Sequence, residues 1–344
     1  MTVGPGSRVT PVVRLAPAKL NLTLAVIGRR PDGYHALHSV MAPLALADRL
    51  SLTPDPSPGA TDTLRVVGLD AGPLADNLVL RALAATRRAI RTHREAPPPG
   101  LAVRLDKRIP VAAGLGGGSS DAAAAISGAL DAWTATDVLS AAERSAVAAS
   151  IGSDVPYFLV DGPALVEGRG ERVTPLRGLA LGADEPAPGL LLVTPAIAAH
   201  TTRVFAAWAD GAMGPPGAAA RSSEHFAAEF GSGLSSRRLL ERAGVLASAN
   251  DLLPAAAAVV EGLVSFRRAL TRLLGRPIGL SGSGPTLWAL YPSLDAAELA
   301  TASVRSAVQD GIMSAPGDGP PFVAATSFVI RPAPRIDLDD RRDP

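Results

Sequence analysis

Three groups of residues in this chain could do chemistry. The first is Pro110-Val111-Ala112-Ala113-Gly114-Leu115-Gly116-Gly117-Gly118-Ser119-Ser120-Asp121. Its glycines let another group approach the backbone closely. The residues that follow, Ala122 to Ala125 with Ile126 and Leu130, are strong helix formers. A loop therefore runs into a helix N-terminus, whose free N–H groups and positive dipole end suit an anion, most often a phosphate. By itself the loop fits a tight helix entry equally well. The second group is Lys19, Asn21 and Thr23, which share one face of an alternating segment. They could point into a site, although a lysine usually faces solvent. The third is Gly152-Ser153-Asp154-Val155-Pro156, which sets a carboxylate among apolar neighbours. There it needs a partner, and the residues alone favour an Asx-turn in which Asp154 bonds its own backbone. Tyr34-His35 follows the turn Arg29 to Gly33, where a lone His is more often structural than catalytic.

Two well-known phosphate loops do not match. A Walker A loop ends in Gly-Lys-Ser/Thr, whereas these glycines run into Ser119-Ser120-Asp121 with no lysine. A dinucleotide fingerprint fails at Ser119, where its last glycine should stand, and lacks an early βαβ unit. The loop thus offers backbone donors and hydroxyls without a cation of its own. A triphosphate bound there needs Mg²⁺, held by phosphate oxygens, water and Ser120 as a candidate ligand, and a lysine from elsewhere in the chain.

The elements that must position these groups read as follows. Strands are expected at Val12 to Leu15, Ala18 to Ile27, Ser39 to Leu46, Arg49 to Thr53 and Leu64 to Val67. A helix starts after Asn77 as N-cap. The strand Leu101 to Leu105 leads into the glycine loop, so strand, loop and helix are consecutive. Ser140 to Glu143 is a capping box opening a helix to about Ser150. Ala164 to Val166 is a strand. Gly178 to Gly189 reads as a linker. A second strand-rich unit begins at Leu190 to Val193, with a helix from Thr201. A helical run spans about Pro254 to Leu274, and a second Gly-Ser loop covers Gly279 to Pro285. Strand, helix, strand follow at Thr286 to Tyr291, Leu294 to Val308 and Thr326 to Ile330. Residues 211–223 read as mobile and Pro332 to Pro344 as disordered.

Composition narrows the function class. The chain has 344 residues, which at roughly 150 per domain suggests two domains. Balanced charge, 33 basic against 32 acidic residues, gives no field for nucleic acid or an anionic membrane and points to a small-molecule partner. The absence of cysteine excludes disulfides, thiolate metal sites and a cysteine nucleophile. No apolar run approaches the roughly 18 residues of a membrane span, and Met1 to Thr10 lacks the apolar core of a signal peptide. A cytoplasmic protein is expected. Patterning alone gives an α+β chain with two units.

Pro17-Ala18-Lys19-Leu20-Asn21-Leu22, Gly33-Tyr34-His35, Asp76-Asn77-Leu78, Pro110 to Ser120, Gly152 to Pro156 and Ser281-Gly282-Ser283-Gly284 occur in this order. That order resembles the GHMP kinases, the superfamily of galactokinase, homoserine kinase and mevalonate kinase, from about Arg14 to Ile330. The first two motifs resemble the branch that phosphorylates a diphosphocytidyl-linked alcohol in non-mevalonate isoprenoid synthesis. The resemblance implies Lys19 and Asp154 as catalytic residues, overriding the solvent and Asx-turn readings. It implies that Pro110, Val111, Ala112, Ala113, Gly114, Leu115, Gly116, Gly117, Gly118, Ser119 and Ser120, with Asn77 and Lys107, hold ATP. It implies substrate contacts from Asn21, Tyr34, His35, Thr201 and Phe205, with Thr202 as the alternative to Thr201. Tyr34 and Phe205 would sandwich the cytosine while His35 reads its edge. The implied fold is two-domain α+β: a ribosomal-protein-S5-like N-terminal domain over 1–185, a ferredoxin-like C-terminal unit over 186–332 and a tail over 333–344. ATP and Mg²⁺ are the expected cofactors. The expected partner is a small molecule carrying a cytidylyl group, with no nucleic acid and no membrane, bound by a monomer or homodimer.

Overall fold

The computed structural model describes residues 10–57, 59–182, 185–211 and 219–330. Its first half comprises β1 (Val12–Asn21), β2 (Ala25–Arg29), β3 (His35–Asp55), β4 (Thr63–Gly68), α1 (Leu78–Ile90), β5 (Gly100–Lys107), α2 (Gly117–Ala132), α3 (Ala141–Ile151), β6 (Ala164–Gly168) and β7 (Arg172–Pro175). The long strand β3 is the hub. It pairs antiparallel with β1, β2, β5 and β6, giving a seven-stranded sheet in which β4-β5-β3-β6-β7 run side by side. Helices α1 and α2 cover one face of that sheet. Val79, Leu83 and Ile90 of α1 and Ala122, Ala125, Ile126 and Ala129 of α2 are fully buried with Leu50, Leu52 and Leu105. Alanine suits α2 because the helix packs against β1, β3, α1 and α3 at once, and only small side chains allow such close approach.

The second half comprises β8 (Gly189–Thr194), α4 (Thr201–Ala209), α5 (Ala220–Ser232), α6 (Ser236–Glu241), α7 (Ala243–Leu246), α8 (Leu253–Val259), α9 (Leu263–Leu274), β9 (Gly279–Leu280), β10 (Leu287–Tyr291), α10 (Leu294–Gln309) and β11 (Phe322–Ser327). Its antiparallel sheet has the order β11-β8-β10-β9, with helices joining β8 to β9 and β10 to β11. This is the βαββαβ arrangement of a ferredoxin-like unit. Strand β8 is buried on both faces. Leu190 and Leu192 face Leu20, Leu22, Leu44 and Trp288, whereas Leu191 and Val193 face Val204, Phe266 and Val304. The two sheets thus share a core, and each buried Leu there contributes about 1.5–3 kcal/mol.

Several expected boundaries move. The segments Val12 to Leu15 and Ala18 to Ile27 become β1 and β2, with a break at residues 22–24. Their alternation does not separate core from solvent: Lys19, Asn21 and Thr23 are as buried as Leu20 and Leu22, because the second sheet packs on the leucine face while the loops around Gly116 and Gly282, Phe158 and Ser223 of α5 cover the polar one. The two pieces at Ser39 to Leu46 and Arg49 to Thr53 are one strand. The helical run Pro254 to Leu274 is interrupted at Gly262, whose φ of +79° no regular helix accommodates. The last strand ends at Ser327 rather than Ile330. Strand β7 and helices α5–α7 lacked a readable pattern. The linker residues Gly178 and Ala180 are tied by backbone hydrogen bonds to Phe230 and Leu234. The expectations for the tail and for residues 212–218 lie outside the described residues, whereas Ala220 to Ser223, expected to be mobile, form the first turn of α5, with Ser223 buried against Thr23.

Candidate active site

Lys19 lies at an irregularity of β1, where the register to β3 shifts between Pro17 and Lys19. Such shifts re-aim side chains. The Lys19 N–H donates to Leu115 O at 2.9 Å, tying the strand to the glycine loop. Its ammonium donates to Asn21 Oδ1 at 2.5 Å and lies 3.6 Å from Asp154 Oδ2. The solvent reading of Lys19 is therefore wrong: the residue is only 3% exposed. A buried lysine must be paired, and Asn21 and Asp154 supply the pairing. Asp154 stands on the turn between α3 and a short 3₁₀ helix started by Pro156. Its carboxylate faces the lysine, which replaces the Asx-turn expectation. Asn21 is fixed in turn, since its Nδ2 donates to Ser39 Oγ at 2.8 Å and Ser39 Oγ donates to Thr23 O.

The two glycine loops meet at this lysine. Gly116 caps α2 with φ +69°, a left-handed conformation that favours glycine, and a Cβ there would lie 2.9 Å from Lys19 Cγ and from the Phe158 ring. On the other side, a Cβ on Gly282 would lie 3.1 Å from Lys19 Nζ and 3.3 Å from Asn21 Oδ1. Ser281 Oγ donates to Gly114 O, which locks the loops together. Asn250 Nδ2 holds the second loop by donating to Leu280 O and Gly282 O at 2.9 Å each. Thr201, at the start of α4, exchanges a 3.0 Å hydrogen bond with Ser283 Oγ, whereas Thr202 has no such bond. Asn77 caps α1 by accepting from the Val79 N–H at 2.9 Å.

Two loop residues sit differently from their expected roles. The Lys107 ammonium does not project from the loop. It is buried between Asp48 and Asp121, 2.8 Å from Asp121 Oδ2. The Ser120 Oγ is buried without a hydrogen-bond partner. The residue lines a cavity of about 740 Å³, bounded by α2, α3 and Arg14, that includes none of residues 110–119. Among the described residues no group of three or more His, Asp or Glu could hold a metal ion.

The aromatic residues gather around His35. Its imidazole stacks on Phe205 at 5.2 Å with an interplanar angle of 18°, and Trp208 meets it edge-on at 5.1 Å. Burial, with Arg29 adding a smaller push, holds the His35 imidazole below its ordinary value and so in the neutral form. Its Nε2 is buried and unpartnered. Tyr34 is half-exposed and lies beneath the Arg169 guanidinium, 5.2 Å from its centroid. The Phe205 face is thus covered by His35 rather than open toward Tyr34. Ser39, Asp48, Phe158, Trp208 and Asn250 were not singled out from sequence as site residues. Asp48 carried a signal, as a lone carboxylate within the apolar run of β3.

The geometry brings a buried lysine and a carboxylate to the mouth of a glycine-capped helix, beside an aromatic cluster. Comparison with known proteins bears on this arrangement directly. Residues 77–162 match the family model described as the GHMP kinases N terminal domain. The chain is 38% identical over 305 residues to 4-diphosphocytidyl-2-C-methyl-D-erythritol kinase of Anaeromyxobacter sp. (strain Fw109-5), covering 86% of this chain and 87% of that protein. It is 39% identical over 308 residues to the enzyme of the same name from Methylorubrum extorquens, with 85% and 94% covered. A crystal structure of 4-(cytidine 5'-diphospho)-2C-methyl-D-erythritol kinase superposes with a TM-score of 0.63 at 30% identity, covering 92% of this chain and 99% of that one. The mevalonate kinase of Methanococcus jannaschii has the same TM-score of 0.63 at 13% identity and shares the fold alone. With its glycine loops, its lysine–aspartate pair and these relatives along most of its length, the chain belongs to the 4-diphosphocytidyl-2-C-methyl-D-erythritol kinase family of the GHMP kinases.

Proposed function

We propose that the protein transfers the γ-phosphoryl group of ATP to the 2-hydroxyl of 4-diphosphocytidyl-2-C-methyl-D-erythritol. The observation that carries this reading is the Lys19–Asp154 pair, 3.6 Å apart beside the N-terminus of α2. Asp154 accepts the proton of the acceptor hydroxyl as its oxygen attacks the γ-phosphorus, and ADP leaves. Lys19 pairs with the carboxylate and offsets charge building on the transferred group. Asn21 orients the lysine. Residues 110–119 cradle the phosphates with backbone N–H groups, and Asn77 lies at the nucleotide side through its cap of α1. Family membership implies ATP as the donor. Among the described residues no group of three or more His, Asp or Glu could hold Mg²⁺, and the buried Ser120 Oγ lines a cavity shared with none of residues 110–119. We therefore assign the ion no protein ligand and route no step through it.

The cytosine is read by the His35 cluster. The neutral imidazole has an Nε2 without a protein partner for the edge of the base, the half-exposed Tyr34 supplies an aromatic face, and Phe205 backs the imidazole. Thr201 closes this end through Ser283. Homoserine and mevalonate have no base for such a cluster. We read residues 1–185 and 186–332 as the two domains, acting in the cytoplasm as a monomer or homodimer. An ADP-release assay with MgATP and each candidate acceptor in turn tests the function. Turnover with the cytidylyl substrate and none with homoserine or mevalonate is expected; the reverse order would overturn the proposal.

A further inference from the structure

Behind the glycine loop lies a set of three charged groups shielded from solvent. The side chains of Asp48, Lys107 and Asp121 are 0%, 2% and 4% exposed. They come from three different elements: the middle of β3, the end of β5 and the first turns of α2. The Lys107 ammonium bonds Asp48 Oδ2 and, at 2.8 Å, Asp121 Oδ2. The other oxygen of Asp48 accepts the backbone N–H groups of Arg108 and Ile109, the latter at 2.9 Å. Those two residues lead straight into Pro110, where the loop begins. At the far end of the loop a Cβ on Gly117 would lie 2.9 Å from Ile109 Cγ2 and 3.0 Å from Lys107 Nζ, so α2 starts close against the ammonium. One buried cluster therefore fixes both ends of the loop, its entry through Asp48 and its exit through Asp121.

Nothing in phosphoryl transfer calls for two carboxylates behind a triphosphate. By Coulomb's law they oppose its binding. Their worth has to lie in geometry, because a loop that binds phosphate through backbone N–H groups is only as good as the positions of those groups. We propose that Asp48, Lys107 and Asp121 form a positioning device for the nucleotide loop, and that Lys107 serves ATP through this device rather than by touching it. The proposal rests on the kinase reading above and assigns the three residues no contact with either substrate.

The charge sign makes the test decisive. ATP binding to the full-length chain is titrated with a fluorescent ATP analogue, and KM is measured separately for ATP and for the cytidylyl substrate. In Asp48→Asn the amide oxygen can still accept from the backbone, but the ionic hold on Lys107 is gone. Positioning predicts that nucleotide affinity falls by about tenfold or more, while KM for the cytidylyl substrate stays within about twofold. Simple electrostatics predicts tighter ATP binding on losing the negative charge. Unchanged or tighter binding overturns the proposal, as does an equal loss for both substrates. A loss in Lys107→Met that is absent from Asp48→Asn also overturns it, since that pattern marks direct contact. Circular dichroism verifies folding; if Asp48→Asn does not fold, Asp121→Asn is judged by the same criteria. The titration is read whether or not the wild-type chain turns over the cytidylyl substrate, so a failed substrate reading shows in the wild type and a failed positioning device in the variants.

Discussion

Replacing Asp121 by Asn should stabilise the protein in alkaline solution far more than in acid. Burial, opposed by Lys107 and reinforced by Asp48, pushes the Asp121 carboxyl up to about 7. An unfolded chain releases that proton near the ordinary value of about 3.9. The folded value is raised, so the folded state holds the proton more tightly. The stability associated with it is complete below about 3.9 and lost as pH rises toward about 7. A gap of about three pH units at 1.36 kcal/mol each makes the ionised form about 4 kcal/mol less stable at pH 8.5. The isosteric amide mimics the protonated acid and does not titrate. Its advantage over the wild type should therefore grow from about 1–2 kcal/mol at pH 5 to about 4 kcal/mol at pH 8.5. Urea unfolding of both proteins at these two values, analysed for midpoint and slope, measures the difference. An advantage that is the same at both values, or larger at pH 5, would refute the account of a carboxyl raised chiefly by burial beside the Lys107–Asp48 pair. The same substitution offers a trade-off, because a more stable loop base is expected to hold ATP less well.

Asp154→Asn should lower kcat by at least about a hundredfold while leaving both KM values within a few fold, since general-base catalysis is what the carboxylate supplies; steady-state kinetics reads the split, and near-normal turnover removes Asp154 from its assigned role. His35 should weaken substrate binding in acid. Burial depresses its folded value, so protonation, where pH falls below the ordinary imidazole range, costs the neutral stacking form its place; kcat/KM for the cytidylyl substrate should drop there, and His35→Gln should flatten that limb. Gly116→Ala should cost about 1–2 kcal/mol for the left-handed conformation alone, and more as the methyl meets Lys19 Cγ and Phe158; a fall in turnover exceeding the loss in thermal stability is expected. Tyr34→Ala should raise KM for the cytidylyl substrate with kcat little changed, and a constant KM would take the exposed ring out of base recognition.

Local patterns made much of the fold legible. The Asn77 cap, the Ser140 to Glu143 capping box and the sequence β5, loop, α2 stand where spacing placed them, because each depends on residues a few positions apart. The ends of β11 and the break at Gly262 were not legible, since strand ends answer to a partner strand and a glycine in an apolar run does not announce its φ. Helices α5–α7 escaped because their buried positions, such as Phe226, Phe230 and Leu239, pack on β-strand residues far away in the chain.

The site divides in the same way. Residue types and spacing determined the glycine loop, the helix behind it and the need for a lysine and a base from elsewhere. They also left the fate of three residues undecided. A lysine in an alternating strand faces solvent unless something covers that face, and here the loops around Gly116 and Gly282 cover it. An aspartate after a Gly-Ser turn bonds its own backbone unless a cation is near, and the β1 irregularity brings Lys19 there. Lys107, one residue type in one suitable position, could equally have reached a phosphate, and only Asp48, 59 positions away in sequence, turned it inward. Burial and charge pairing are properties of elements brought together across the chain. The sequence by itself therefore determined which groups the protein has, and the tertiary structure decided which of them face one another.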